Sequence, residues 1–177
     1  MFEKLDLKLK KKNFDKSKDI SKFQNNEFNL PLVNAKNGNN GIMYYGREVD
    51  FEDDEMTIDI VNDGAISTGN VYAQPQKTGV LYNAYLIKLR YKNISKKLLL
   101  YLSCSIQKSI KLKFSYENKA GWTKVKEEKI SLPIKDGKPD FAFMEVFITA
   151  IQKLAIKDVV LYTQRELEAT EKAINMS

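Results

Sequence analysis

The sequence predicts an α+β protein: a compact domain of short, mostly antiparallel strands with small helices, followed by a long C-terminal helix or helix pair. Three observations predict it. Short apolar runs between Phe28 and Leu89 are separated by Asn- and Gly-rich turns. The stretch from Ser95 to Lys108 places Leu98, Leu102 and Ile106 at i, i+4, i+8 behind a serine cap. Beyond Pro139 the apolar period becomes three-to-four and persists to near the chain end.

Residues 1–25 are polar and lysine-rich, above all Lys8 to Lys12, which predicts a solvated basic tail. Within it Leu5, Leu7 and Leu9 alternate with charged residues and leave an edge strand open. A domain is expected over 26–137. Leu30 to Val33 and Ile42 to Tyr45 read as strands flanking the turn Asn37-Gly38-Asn39-Asn40-Gly41. Met56 to Val61 alternates as a strand, Asn62-Asp63-Gly64 turns, and Ala65 to Thr68 continues it. Val71 to Ala73 and Tyr85 to Leu89 complete the set, a spacing unlike that of a parallel α/β sheet. Residues 110–129 are expected to hold strands around a turn at Asn118-Lys119-Ala120-Gly121. A last strand, Lys129 to Ile134, ends at Pro133; Asp136-Gly137 turns, and Pro139-Asp140 opens the final helix.

In that helical segment, 138–177, Met144, Phe147, Ile151 and Leu154 form a coiled-coil-like seam. The pattern slips at Lys157-Asp158, where either a kink or a second helix begins. Val160, Leu167 and Ile174 then recur every seven residues. A helix of this length cannot bury its seam on one small domain, so a partner helix is implied.

Composition narrows the chemistry. The chain has 177 residues and a net charge of +6, from 29 basic and 23 acidic residues; the only arginines are Arg47, Arg90 and Arg165. Lysine is a flexible point charge suited to phosphate, so the excess fits an electrostatic claim on nucleic acid. Genome composition produces the same excess. There is no histidine, which removes Ser-His-Asp chemistry and the usual zinc sets. The single Cys104 lies in an apolar helical run and reads as a buried structural thiol. No apolar run approaches about 20 residues and no signal peptide is visible, so a cytoplasmic setting without membrane insertion is expected.

No catalytic signature is present. Gly38-Asn39-Asn40-Gly41 lacks the spacing and the lysine of a phosphate loop. The Asp/Asn-Pro-Pro-aromatic tetrapeptide of DNA amino-methyltransferases is missing. Pro139-Asp140 with Glu145 suggests a nuclease pattern, but its lysine is replaced by Phe147. Glu52, Asp53, Asp54 and Glu55 read as an exposed acidic run, with no metal cage.

Three segments carry side chains suited to base edges and phosphates. The first is the Asn39-Asn40 turn. The second holds Thr68 and Asn70, then Gln74, Gln76, Lys77 and Thr78. The third combines Lys111, Lys113, Ser115, Tyr116, Asn118, Lys119, Trp122 and Lys124 in one short span. The plainer alternative makes Tyr116 and Trp122 core residues and the lysines merely solvated.

The wording of these segments resembles the target recognition domain of restriction-modification specificity proteins, the type I specificity subunit family. The carriers are Phe28-Asn29-Leu30-Pro31-Leu32-Val33, Asn39-Asn40-Gly41-Ile42, and Ile60 to Gly69 with Asn62-Asp63-Gly64-Ala65-Ile66-Ser67 at its centre. Next come Phe114 to Ala120 with Trp122-Thr123-Lys124, Ile130-Ser131-Leu132-Pro133, Gly137-Lys138-Pro139-Asp140-Phe141 and Phe143-Met144-Glu145. They follow the family's order over roughly residues 28–155, and are closest to the recognition regions of type IIG and IIB enzymes. The resemblance implies recognition of double-stranded DNA without catalysis by this chain. S-adenosylmethionine and Mg would sit on partner or fused methyltransferase and restriction subunits or domains. Full-length type I subunits carry two recognition domains and two antiparallel spacer helices. One of each here implies a half-subunit, a natural truncated form or a piece of a larger protein. The seam then serves either a two-fold homodimer or packing on a fused methyltransferase. The reading from another class is a non-catalytic protein-interaction or ligand-binding module whose C-terminal helix docks a partner.

Overall fold

The computed structural model describes residues 1–91 and 93–175. The elements run β1 (Phe2–Lys4), α1 (Lys16–Asp19), β2 (Ile20–Ser21), β3 (Leu30–Val33), β4 (Ile42–Gly46), β5 (Asp53–Asp54) and β6 (Thr57–Val61). There follow β7 (Val71–Gln74), β8 (Thr78–Val80), β9 (Ala84–Leu89), α2 (Lys96–Ile110), α3 (Trp122–Val125), β10 (Ile134–Lys135), β11 (Lys138–Pro139) and α4 (Phe141–Asn175). The class is α+β, as the sequence predicts.

Two sheets make the domain. One is antiparallel throughout, in the order β1-β9-β6-β7; the other runs β2-β4-β3-β8-β5 and has a parallel pair, β3 with β8. The first sheet packs one face on α2: Ile58, Ile60, Tyr85, Ile87 and Leu89 meet Leu98, Leu99, Leu102, Ile106 and Ile110, all buried. Helix α2 starts where expected, with Ser95 Oγ accepting the Leu98 N–H at 3.1 Å. Such a cap contributes about 1 kcal/mol. Ser95 Oγ also donates to Glu145 Oε1 at 2.5 Å, which ties the start of α2 to α4.

Several expectations are corrected. The basic tail is built into both sheets. Phe2 to Lys4 pair with Ile87 to Leu89, Leu9 bridges Phe51, and Ile20-Ser21 pair with Tyr45-Gly46. A charged run is compatible with order here because Lys11 docks on the buried Asp19. Residues 65–68 form a turn and no strand, because Thr68 Oγ1 donates to Gly64 O at 2.6 Å and accepts the Gly64 N–H at 2.9 Å, closing the backbone on itself. No strand forms in 110–129: Ser115 and Asn118 satisfy local backbone groups, and the short α3 follows. Residues 129–133 carry no strand either. The turn Asp136-Gly137 (φ 51° and 73°) instead closes the two-residue hairpin β10–β11. Cys104 is exposed, lying two positions from the buried Leu102 and so on the other side of α2.

Helix α4 is continuous through Lys157-Asp158. It opens on Asp140, whose Oδ1 accepts the Phe143 N–H at 2.9 Å. Met144 and Ile148 are buried against the domain; residues 151–168 are exposed throughout. Met144 therefore belongs to the domain core, while Phe147, Ile151 and Leu154 are 44%, 47% and 66% exposed. Phe147 stacks on Phe143 and meets the edge of Tyr101. The last two residues of the segment, Met176 and Ser177, lie outside the described residues.

Candidate nucleic-acid interface

The ends of β3, β6 and β9 and the segment after α2 bring their loops together. Asn62 N–H donates to Asn83 O at 2.9 Å, and Ala120 N–H donates to Asn62 O at 3.0 Å. The Asn70 side-chain amide donates to Asn37 Oδ1 at 3.0 Å, joining the 62–70 loop to the 36–41 turn. Lys111 Nζ donates to Ile66 O at 2.9 Å and Thr68 O at 3.1 Å. Lys119 reaches Asp63 Oδ2 at 2.5 Å. A continuous rim results, formed by residues 36–41, 62–70, 82–83 and 111–124.

The 36–41 turn is held from β7. Gly38 N–H donates to Tyr72 Oη at 2.9 Å, and Tyr72 Oη donates to Lys36 O at 3.4 Å. Gln74 Nε2 donates to Asn40 O at 2.6 Å. Asn39, Asn40 and Gly41 are all left-handed, with φ of 47°, 53° and 75°. Asn tolerates that region better than most residues, which accounts for the Asn-Asn-Gly order. Both asparagines are exposed at the surface.

The residues singled out from sequence divide into two sets. Thr68, Asn70, Gln74 and Thr78 are buried, and their side chains bond other parts of the loops; Thr78 Oγ1, for example, donates to Gln76 O at 3.0 Å. Thr68, Asn70 and Gln74 brace the rim and Thr78 braces the β7–β8 loop; none faces solvent, because loop backbone inside a folded domain needs partners that water no longer supplies. Trp122 is half-buried with its ring edge-on to Tyr85 at 6.2 Å, on the core side. Lys111 is half-buried on two carbonyls, and burial draws its pKa below the ordinary lysine value. Asn39, Asn40, Lys113, Ser115, Tyr116, Asn118, Lys119 and Lys124 are exposed on the rim. Gln76 and Lys77 are exposed on the separate β7–β8 loop beside Glu48.

The exposed lysines are not bare. Lys77 pairs with Glu48, Lys113 with Glu128 and Lys119 with Asp63, while Lys124 donates to Asn118 Oδ1. Asp63 raises the Lys119 pKa through its hydrogen bond and charge. Exposed pairs of this kind contribute about 0–1 kcal/mol, so exchanging a carboxylate for a phosphate costs little. Among the described residues no cluster of His, Cys, Asp and Glu is suited to a metal ion, and no helix is long and apolar enough to cross a membrane.

Tyr72, Asn37 and Asp59 belong to this site and were not apparent as such in the sequence. The signal was present for Asp59, a charge within Thr57-Ile58-Asp59-Ile60-Val61. A strand open to water on one face accounts for the same alternation, whereas this one is closed on both.

Fold and rim describe a non-repetitive α+β domain presenting amides, hydroxyls and lysines on loops, with a helix projecting beyond it. Residues 4–162 match the family described as the type I restriction modification DNA specificity domain, and the chain belongs to that family. It is thus a DNA specificity domain of the restriction-modification kind. The chain is also similar to the type II restriction enzyme specificity subunit S.BcgI of Heyndrickxia coagulans, 29% identical over 129 residues. That match covers 72% of this chain and 37% of the relative, so the chain spans well under half of that protein's length. No solved structure matches significantly.

Proposed function

We propose that this chain reads a short sequence in duplex DNA and directs a methyltransferase and a nuclease to it, without catalysing either reaction itself. The observation that carries this is the family match across 4–162. The rim supports it chemically: Asn39, Asn40, Asn118 and Tyr116 offer groups for base edges, and Lys113, Lys119 and Lys124 offer cations for phosphates. S-adenosylmethionine and Mg would be held by the partner or fused domains.

The exposed face of α4 supports an assembly role. Residues 149–175 extend about 40 Å at 1.5 Å per residue. Phe147, Ile151 and Leu154 on this helix would each contribute about 1.5–3 kcal/mol if fully covered. We favour a two-fold homodimer through α4, which would read a symmetric, interrupted site.

Selection from a random duplex library at low and moderate salt, with and without the methyltransferase, tests the DNA reading. Enrichment of a defined sequence, with binding falling steeply as salt rises, is expected. Failure to enrich any sequence even with the methyltransferase present would remove the proposal.

A further inference from the structure

Strand β6 carries a carboxyl group in a place closed to water. Asp59 is 0% exposed, and neither of its oxygens has a hydrogen-bond partner among the described residues. Thr57 Oγ1, two residues earlier and on the same face, is equally unpartnered. Ile58 and Ile60 turn to the α2 core, so Thr57 and Asp59 face the opposite layer. There Asp59 stands between its register partners, Tyr72 on β7 and Leu86 on β9. Gly41 lies directly over it: a Cβ added to Gly41 would fall 2.3 Å from Asp59 Oδ2 and 2.9 Å from the Tyr72 ring. Native proteins leave few buried polar atoms without a partner, and each calls for an account.

We propose that Asp59 is the positioning residue of the 36–41 turn: its carboxyl group is the floor on which Gly41 rests, and it sets the direction in which Asn39 and Asn40 meet DNA. The clause about DNA rests on the reading proposed above; the coupling between carboxyl and turn does not. Tyr72 and Gln74 hold the turn from one side through Gly38 and Asn40. The Asp59 carboxyl holds it from below by shape, in contact with Gly41, where a side chain would not fit.

The same geometry makes the turn sensitive to a proton. Burial pushes the Asp59 pKa well above its ordinary value of 3.8. No cation bonds it. Lys88, whose register partner is Thr57, is occupied by Asp54 at 2.7 Å. Among the described residues, the titratable groups placed around it are Tyr72, Tyr85 on the α2 side of β9, and Lys36 at the start of the turn. Loss of the proton would place a bare charge beneath Gly41, and the layer can solvate it only if the turn lifts and admits water.

The test uses the full chain, first without DNA. NMR follows the Asp59 carboxyl carbon and the amides of residues 38–42 from acid to alkaline pH. The carboxyl is expected to titrate above the ordinary range, with the turn amides shifting at the same midpoint. Asp59→Asn should lack that transition and keep the acid-side spectrum. A carboxyl titrating near 3.8, or turn amides that do not follow it, overturns the coupling. The second arm repeats the library selection. Asp59→Asn should keep the wild-type base preference, and Asp59→Ala should relax it about tenfold at one or two positions with the salt dependence unchanged. An unchanged preference in Asp59→Ala overturns the positioning role. If the wild type enriches no sequence, the DNA reading itself fails, and the NMR arm alone decides the coupling.

Discussion

Asp19 and Asp59 are both closed to solvent, at 3% and 0% exposure, and the fold treats them in opposite ways. Asp19, at the end of α1, accepts the Asp15 N–H at 2.8 Å, Lys11 Nζ at 2.5 Å and Arg47 Nη1 at 3.1 Å. The Asp15 N–H and then the two cations hold its pKa down to about 2. Asp59 has none of these partners, and burial alone drives its pKa the other way. Burial therefore does not set the charge of a carboxyl group; the supply of donors does. The difference suits their positions. Asp19 draws the basic N-terminal segment and Arg47 onto the second sheet, whereas Asp59 lies beneath a turn whose backbone is already satisfied by Tyr72 and Gln74.

The comparison can be broken most severely at Gly41. Gly41→Ala forces a methyl group against the Asp59 carboxyl in a left-handed conformation. It should destabilise the domain by about 2–4 kcal/mol, read from chemical denaturation. A loss below about 0.5 kcal/mol would show that the carboxyl moves freely and that the contact is not a constraint.

The pH dependence sharpens it. A carboxyl whose folded pKa is depressed contributes stability above its unfolded pKa and loses it as pH falls through the folded value. Asp19→Asn should therefore lower Tm at neutral pH, with the gap to wild type closing between 3.8 and about 2. Asp59 has the reverse sign. Because its folded pKa is raised, the wild type loses stability as pH rises above 3.8, by up to about 1.4 kcal/mol per pH unit until the folded group titrates. Asp59→Asn should be more stable than wild type at neutral pH, and the gain should vanish at or below 3.8. Thermal melts from acid to neutral pH check both signs; curves that diverge in the same direction would end the contrast.

The smallest effect on stability is expected where nothing is buried. Leu154→Asp on α4 should change the unfolding free energy of the monomeric domain by no more than about 0.5 kcal/mol, while converting the dimer proposed above to a monomer in light scattering. A wild type already monomeric at all concentrations would shift the helix from a second copy to a partner or fused domain.

The sequence carried the local decisions. Leu30–Val33, the α2 start at Ser95 with its Leu98, Leu102 and Ile106 face, the Asp136-Gly137 turn and the opening of α4 at Asp140 were all legible, because each depends on residues within a turn or two of one another. The motif order from Phe28 to Leu154 was legible for the same reason, since it is written in neighbouring residues.

What only the tertiary structure decided depends on groups far apart in the chain. The basic run at Lys8 to Lys12 reads as a tail until Asp19 supplies a counter-charge and Asp50 and Phe51 supply backbone and bridge partners. Thr68, Asn70, Gln74 and Thr78 have the composition of base-reading residues, yet loop closure turns them inward onto backbone that must be satisfied once water is excluded. Asp59 has the alternation of a surface residue, and only the distant 36–41 turn closing over β6 at Gly41 makes it a buried acid. Local pattern follows from the covalent chain, while charge state and side-chain direction follow from which distant partner arrives, which a one-dimensional pattern does not encode.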